Sequence, residues 1–445
     1  MKLVMTNLFH GDHYEHSFSH IGMGRRNLEF FARIYPTDRS YFHQPDHRLD
    51  TVHHAPNHHR YSAVCGTQRQ ASTRHLSSLV WKIPLAAGSP VETVGTTAHR
   101  TVLSCRYCVW MDMDDTVFHR TGRKVDGAGW WRDAIRSSAS RIVHCWRLNL
   151  VVLTLRVIPP WGGEPLGLPI NMRLHRKNGP GLIELPEGML AEVKGWFPER
   201  QFIMGADSLD ATLAGCGAAY THLISRMRRD AAIYALPKKK RKHQRGPKPK
   251  RGKRLGTPTQ IASRVKSWHR VKTQERGKTK YRLVYAMVVL WYKVSHAPVL
   301  LVISRDPAGK EKDDFFFTTD LQLTGAEVIG GFAGRWSIED TFKNTKQSLG
   351  SEEPQTWKDQ GPERAAVISL WPYSVVWAWY IRYGYGKTSL LIMPWYSAKT
   401  CPSFQDALAA LRRVLWRKRI ITMFGNHTVP ARIIEFFINA VASAA

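Results

Sequence analysis

The run Leu148 to Ile158, LNLVVLTLRVI, sets the tightest limit on what this chain can fold into. A strand so continuously apolar is stable only where both of its faces are covered, so it belongs inside a sheet rather than at its margin. Its neighbours fit that placement. Leu103, Cys105, Tyr107, Val109, Met111 and Met113 alternate with more polar residues, as a strand does, and Leu166 to Leu174 reads as a third strand. Glu187 to Trp196 reads as a short helix closed by Pro198, and Phe202 to Ala206 as a short buried strand ending in Asp207. A helix over Ala211 to Ala219 and a fifth strand over Thr221 to Met227 complete the series. Strands followed by alternating helix and strand predict an α/β domain with a mixed sheet and flanking helices.

A break follows. Between Lys238 and Arg254, 11 of 17 residues are Lys or Arg, mixed with Pro and Gly, which predicts an extended solvated loop. Strand-like stretches at Val265 to Val271, Arg282 to Tyr292 and Val299 to Ser304 then form a β-rich insertion. The remainder reads as helical, from about Arg335, with further helices near 363–382, 403–418 and 430–443. The expected division is an atypical segment over 1–100, the first part of the α/β domain over 101–232, the basic loop and insertion over 233–325, the second part of the α/β domain over 326–385, and a helical region over 386–445.

Charge speaks about partners. The chain carries 65 Lys and Arg against 35 Asp and Glu, a net charge of +30. A polyanion is the natural partner, and nucleic acid is the commonest. A membrane role is not expected: no uninterrupted apolar run reaches the length of about 18 residues needed to span one. The nearest candidate, Val367 to Ile381, contains Ser369, Pro372 and Ser374 and reads as a buried helix. His10, Asp12, His13 and Glu15 interrupt any apolar leader core, so a soluble, cytoplasmic protein is expected. The six cysteines are scattered, with Cys105-x-x-Cys108 the one close pair, and read as structural thiols. Ten of the 20 histidines fall in the first 60 residues, where no helical or strand period persists. That segment is expected to be disordered, a degenerate DNA-binding region, or a product of a shifted reading frame.

The chemistry concentrates in three places. In FAGRWSIEDTFKNTKQSLG (332–350), a helix would put Ile338, Phe342, Thr345 and Leu349 on one face and Arg335, Glu339 and Lys346 on the next. Alone, that acid between two bases is also what a surface salt-bridge ladder looks like. Met111-Asp-Met-Asp-Asp-Thr116 ends a strand, where period two sets Asp112 and Asp114 opposite the apolar odd positions; Asp115 replaces Asp114 only if the strand bulges. Asp207 ends another. Carboxylates at the ends of central strands are costly to bury unless paired or bound to metal, and an acid on a covering helix would complete an oxygen donor set for Mg²⁺ or Mn²⁺.

These segments resemble the DDE transposases of bacterial insertion sequences, in the group whose signature is Tyr-x2-Arg-x3-Glu-x6-Lys. The chain reads Phe332-x2-Arg335-x3-Glu339-x6-Lys346, with an Asp-x-Thr at Asp114-Asp115-Thr116 and an acid after a short strand at Asp207. The resemblance spans about 105 to 445. It implies a ribonuclease H-like fold in which Asp114, Asp207 and Glu339 bind two divalent ions, Mg²⁺ or Mn²⁺. It further implies cutting of double-stranded DNA at element ends and joining of the freed 3′-hydroxyls to target DNA, with a homodimer as the active assembly. Arg335, Lys346, Phe332 and Lys343 would contact DNA, and Arg123 and Lys124 either line the channel or form a polar turn. Phe332 departs from the signature Tyr and lacks its hydroxyl, which puts any hairpin intermediate in doubt. The rival expectation is a decayed or repurposed relative that holds DNA without cutting it. The resemblance implies that an aromatic ring of the insertion can stack a flipped base, with Trp268, Trp291 and Tyr292 the candidates, although core packing is the stronger expectation for each.

Overall fold

The computed structural model describes the chain from residue 108, apart from 121, 134, 135, 139, 199, 208–212, 215–220, 238–246, 248, 393, 425–429 and 444–445. All of these residues fall within one compact unit, Val80–Ala445. The expectations for segment 1–100, for most of the Ala211 to Ala219 helix and for much of the basic run lie outside the described residues.

Among the described residues ten strands form one mixed sheet in the order β2-β3-β1-β5-β6-β12-β11-β10-β9, with β4 also paired to β3, while β7 (Ile233–Tyr234) and β8 (Arg254–Gly256) pair apart from it. β1 (Cys108–His119) is an inner strand, third along this order. It runs antiparallel to β3 (His144–Val157) and parallel to β5 (Gln201–Ala206). β2 (Gly129–Arg132) and β4 (Leu166–His175) both pair antiparallel with β3, and β6 (Thr221–Arg226) pairs parallel with β5. The apolar run that opened the argument is β3, buried along nearly its whole length.

Helices cover both faces. On one, α1 (Glu184–Trp196) lays Met189, Leu190 and Val193 against β3 and β4, and Glu192 binds Asn171 and Arg173. On the other lie α3 (Gly325–Gly334), α4 (Ser337–Ser348) and α5 (Gly361–Trp379), while α2 (Pro258–Arg264) sits beyond the basic run. Phe118 of β1, Leu148, Leu150 and Val152 of β3, Met172 and Leu174 of β4, Ile338 and Phe342 of α4, and Ala366 and Leu370 of α5 make one core cluster. A second joins Ile203, Ile224, Val284, Val302 and Phe316 to Val328 and Ile329 of α3. A five-residue π turn, Tyr380–Gly384, ends α5, and α6 (Phe404–Phe424) and α7 (Ala431–Ser443) close the chain. No helix among the described residues is long and apolar enough to cross a membrane.

Several elements differ from the sequence reading. The strand-rich stretch after the basic run extends the central sheet: β9 (His269–Glu275), β10 (Lys278–Val289), β11 (Val299–Arg305) and β12 (Asp314–Thr318) pair in turn, and β12 docks on β6 through Phe316↔Arg226 to Thr318↔Ile224. β6 would otherwise present bare N–H and C=O groups, and β12 satisfies them. The segment 332–350 is two helices, not one. α3 ends at Gly334, and a tight corner with Arg335 N–H to Phe332 O (3.1 Å) and Ile338 N–H to Arg335 O (3.1 Å) leads into α4. α2 begins with a reciprocal capping box between Thr257 and Gln260. Cys108, expected as a thiol, is disulfide-bonded, whereas Cys145 and Cys401 are free.

What ties the α3–α4 corner to the sheet is a buried ion pair. Asp112 is 0% exposed. Arg156 of β3 grips it with both ends of its fork: Nε donates to Oδ2 at 2.9 Å, and Nη2 donates to Oδ1. Arg156 Nη1 also donates to Gly331 O in α3 (2.8 Å), and Ser337 Oγ of α4 donates to Asp112 Oδ2 (3.3 Å). Trp110 closes the other side, 4.9 Å from the guanidinium carbon. The guanidinium fits because two neighbours lack side chains. A Cβ at Gly205 would lie 2.6 Å from Asp112 Oδ1, and one at Gly334 would lie 2.6 Å from Arg156 Nη1.

Removing one member of a buried pair leaves a bare charge, which costs about 3–5 kcal/mol, whereas replacing both by apolar residues is often near neutral. Asp112→Ala should therefore lower stability by about 3–5 kcal/mol in urea denaturation, and Asp112→Leu combined with Arg156→Met should recover most of it. Equal losses in the single and double variants would remove the pair from its role as clamp.

Candidate active site

Period two assigns the even positions of β1 to the side covered by α3 and α4. Asp112 and Asp114 stand there with Phe118, and α4 is fixed over them because Ile338 and Phe342 bury into the cluster beneath. Thr341 anchors the same helix by donating to Gly167 O at 2.6 Å. That docking leaves Glu339 half-buried at the edge of β1. Arg335, only 7% exposed, spans the gap between the acids. Its Nη1 donates to Asp114 Oδ2 at 2.7 Å and its Nη2 to Glu339 Oε1 at 2.8 Å. Asp115 points to the opposite face, where burial raises its carboxyl pKa and Asn149, His175 and Arg147 oppose the rise. Asp114 thus shares its side of the sheet with Glu339, and Asp115 does not.

Asp207 follows β5 directly. The parallel register Asp112↔Gly205 places it beside Asp114 two residues further along the neighbouring strand. Its backbone carbonyl accepts from Ser225 Oγ at 3.0 Å, which holds the strand end in place, and its side chain is exposed. The charge of Asp207 acts on Asp114, Arg335 and Glu339 alike. The three acids and the arginine form one electrostatic unit.

Burial dominates that unit. It pushes the Asp114 carboxyl up to about 7; Arg335 opposes the shift, and Asp115 and Asp207 add to it. Burial also raises Glu339, against the pull of Arg335 and Arg276. Arg335 stays charged, because Asp114, Glu339 and Asp207 together outweigh its own desolvation. Arg335 Nε is buried and finds no hydrogen-bond partner among the described residues.

The other residues singled out in the sequence scatter around this unit. Lys346 turns inward: Nζ donates to Val117 O of β1 at 2.7 Å, and burial lowers its pKa. Lys343 is exposed on α4, where its charge acts on Asp340. Phe332 lies on α3, half-buried against Phe316 at 5.1 Å between ring centroids, with Arg226 over its face at 5.4 Å. Arg123 and Lys124 are exposed in the turn after β1. Trp291 packs edge-on to Phe317 in the core (5.3 Å), and Trp268 lies under Arg305 (4.1 Å). Two residues that the sequence reading passed over complete the surroundings: Arg156, through the clamp on Asp112, and Arg276, whose guanidinium carbon lies 3.5 Å from the centre of the Trp336 ring. The Arg276-Gly277 dipeptide between two strand-like stretches was the available signal for a hairpin tip.

Among the described residues no three His, Cys, Asp or Glu side chains converge as a ready cation cage. The arginine occupies the gap between two of the acids. The donors themselves fit a hard divalent ion: all three are carboxylates, and burial makes the charged form of Asp114 costly without a cation beside it.

Because the Asp114 pKa is raised above its ordinary 3.8, the folded chain holds this proton more tightly than the unfolded chain. This group therefore detracts from stability as pH rises from 3.8 through about 7. Asp114→Asn cannot ionise, so its melting temperature should gain on the wild type across that window and hold the gain above it. Parallel melting curves from pH 4 to 8 would contradict the burial argument.

Comparison with models of known protein families finds no match, and no curated protein matches the sequence.

Proposed function

We propose that the chain is a DNA transposase of the DDE type, cutting insertion-sequence ends and joining their 3′-hydroxyls to target DNA. The observation that carries the reading is the bridging of Asp114 and Glu339 by a single arginine, with Asp207 at the end of the adjacent parallel strand. The strand order β4-β3-β1-β5-β6, with two antiparallel pairings followed by two parallel ones, supports a ribonuclease H-like core. The net charge of +30 supports a polyanionic substrate.

Asp114, Asp207 and Glu339 would hold Mg²⁺ or Mn²⁺, two ions in all, and the metal would supply activation of the attacking oxygen and stabilisation of the leaving one. The chain's own residues do the rest. β1 and β5 hold two acids side by side on rigid strands, and α4 sets the third over them. Arg335 holds two of these carboxylates; it would compete with a bound cation for them and, released from them, would offer a planar fork suited to a phosphate. Lys346, fixed on Val117 O, stiffens the α4–β1 contact beneath the site. Phe332 brings a ring without a hydroxyl, so this position donates no hydrogen bond to phosphate. The rival reading, a chain that binds DNA without cutting it, draws on the same Arg335 bridge, since an arginine held there permanently would exclude the metal.

Purified protein with Mn²⁺ should nick plasmid DNA carrying the cognate ends. Asp114→Ala, Asp207→Ala and Glu339→Ala should each lower cutting by at least about 1000-fold, the scale lost with an essential catalytic group, while DNA affinity measured without divalent cation stays within a few fold. Cutting that survives all three changes would defeat the assignment. Binding without any Mn²⁺-dependent cutting would favour the non-catalytic rival.

A further inference from the structure

The tip of the β9–β10 hairpin holds an arginine in a backbone conformation that arginine disfavours. Glu275 pairs with Lys278, so the loop is only Arg276-Gly277, and both residues have positive φ, 51° and 68°. Two-residue turns of this kind favour Asn or Asp followed by Gly, because a bulkier side chain in the left-handed region meets its own backbone. Arg276 and Asp359 are the two non-glycine residues with positive φ among the described residues, and aspartate tolerates that region better.

The tip is held firmly in place. A Cβ at Gly277 would lie 3.1 Å from the Glu164 backbone nitrogen, so the turn is wedged against the loop after β3, and a Cβ at Gly330 of α3 would lie 3.2 Å from Gln274 O of β9. From there Arg276 reaches the start of α4. Its guanidinium rests on the face of Trp336, a residue 39% exposed at the helix N-cap. Its charge acts on both Glu339 and Asp340. The side chain is itself exposed. A cation kept at an unfavourable turn position, on an exposed ring beside the acid cluster, is placed to meet an anion arriving from solvent.

We propose that Arg276 is a substrate-binding residue that holds a DNA backbone phosphate beside Glu339, with Trp336 as the platform on which its guanidinium rests before DNA arrives. The assignment builds on the DNA-cutting reading and adds a second cation to the site, brought by the inserted strands rather than by the α3–α4 corner.

Arg276→Asn separates this role from a structural one. Asparagine suits the turn, so the variant should melt at a temperature equal to or above that of the wild type. Binding of a fluorescein-labelled mixed-sequence duplex to the full chain, followed by anisotropy without divalent cation, should weaken several-fold. The slope of log affinity against log salt should fall by about 0.9, the value for one phosphate contact on duplex DNA. Arg276→Lys keeps the charge and should keep the slope. An unchanged slope in Arg276→Asn, equal slopes in the Asn and Lys variants, or no duplex binding by the wild type would each overturn the proposal. Cutting by the wild type and by Asp114→Ala, measured in parallel, tests the nuclease reading separately: a slope change without any cutting would leave Arg276 as a DNA contact and remove the catalytic assignment alone.

Discussion

The Asp112–Arg156 pair is the interaction on which the arrangement of this molecule depends. A carboxylate with no exposure, sunk into an inner strand of a sheet, is tolerable only with a cation at full contact. Arg156 supplies that cation, and the rest of its fork reaches Gly331 in α3. Ser337 of α4 joins from the other side. One buried charge pair thus sets the position of the corner between two helices, and the corner sets where Arg335 and Glu339 stand. The glycines at 205 and 334 belong to the same arrangement, because side chains at those places would occupy the volume of the guanidinium and its carboxylate.

The second acid of β1 lives in the opposite regime. Asp112 has a partner dedicated to it, whereas Asp114 shares Arg335 with Glu339 and sits near two more carboxylates. Desolvation wins over that shared cation, and the carboxyl titrates near neutrality. Two aspartates two residues apart on one face therefore differ in role because one is fully neutralised and the other only partly.

Much of the sheet could be read directly from residues. β3 announces itself through an apolar run long enough to demand cover on both sides, β1 through alternation, and β5 through a short apolar run, while the buried stripe of α4 follows from the spacing of Ile338, Phe342, Thr345 and Leu349. β12 did not stand out, although its three consecutive phenylalanines are apolar enough for a central strand. α2 carried a readable cap at Thr257 and Gln260, but only seven residues follow it. The site was legible as three acids and an arginine. Which aspartate faces the helix came from strand alternation; that the arginine would bind the acids rather than wait for phosphate did not, because a sequence records charges and not the order in which they pair. Arg156 and Arg276 were hidden for a related reason. Each acts across contacts of more than 50 residues in sequence, to Gly331 and to Trp336, and no local pattern reports such a contact.

The docking of β12 on β6 has a consequence for how this domain could be shortened. An inserted module joined by flexible ends can be cut away with little disturbance to its host. Here β9 to β12 continue the hydrogen-bonded ladder of β6, so trimming them would strip β6 of its neighbour and expose an apolar edge of the kind that invites edge-to-edge aggregation. It would also uncover the underside of α3, whose Val328 and Ile329 pack against Val284, Val302 and Phe316 of the inserted strands. The two parts of the sheet therefore stand or fall together, and a minimal version of this protein would have to keep both.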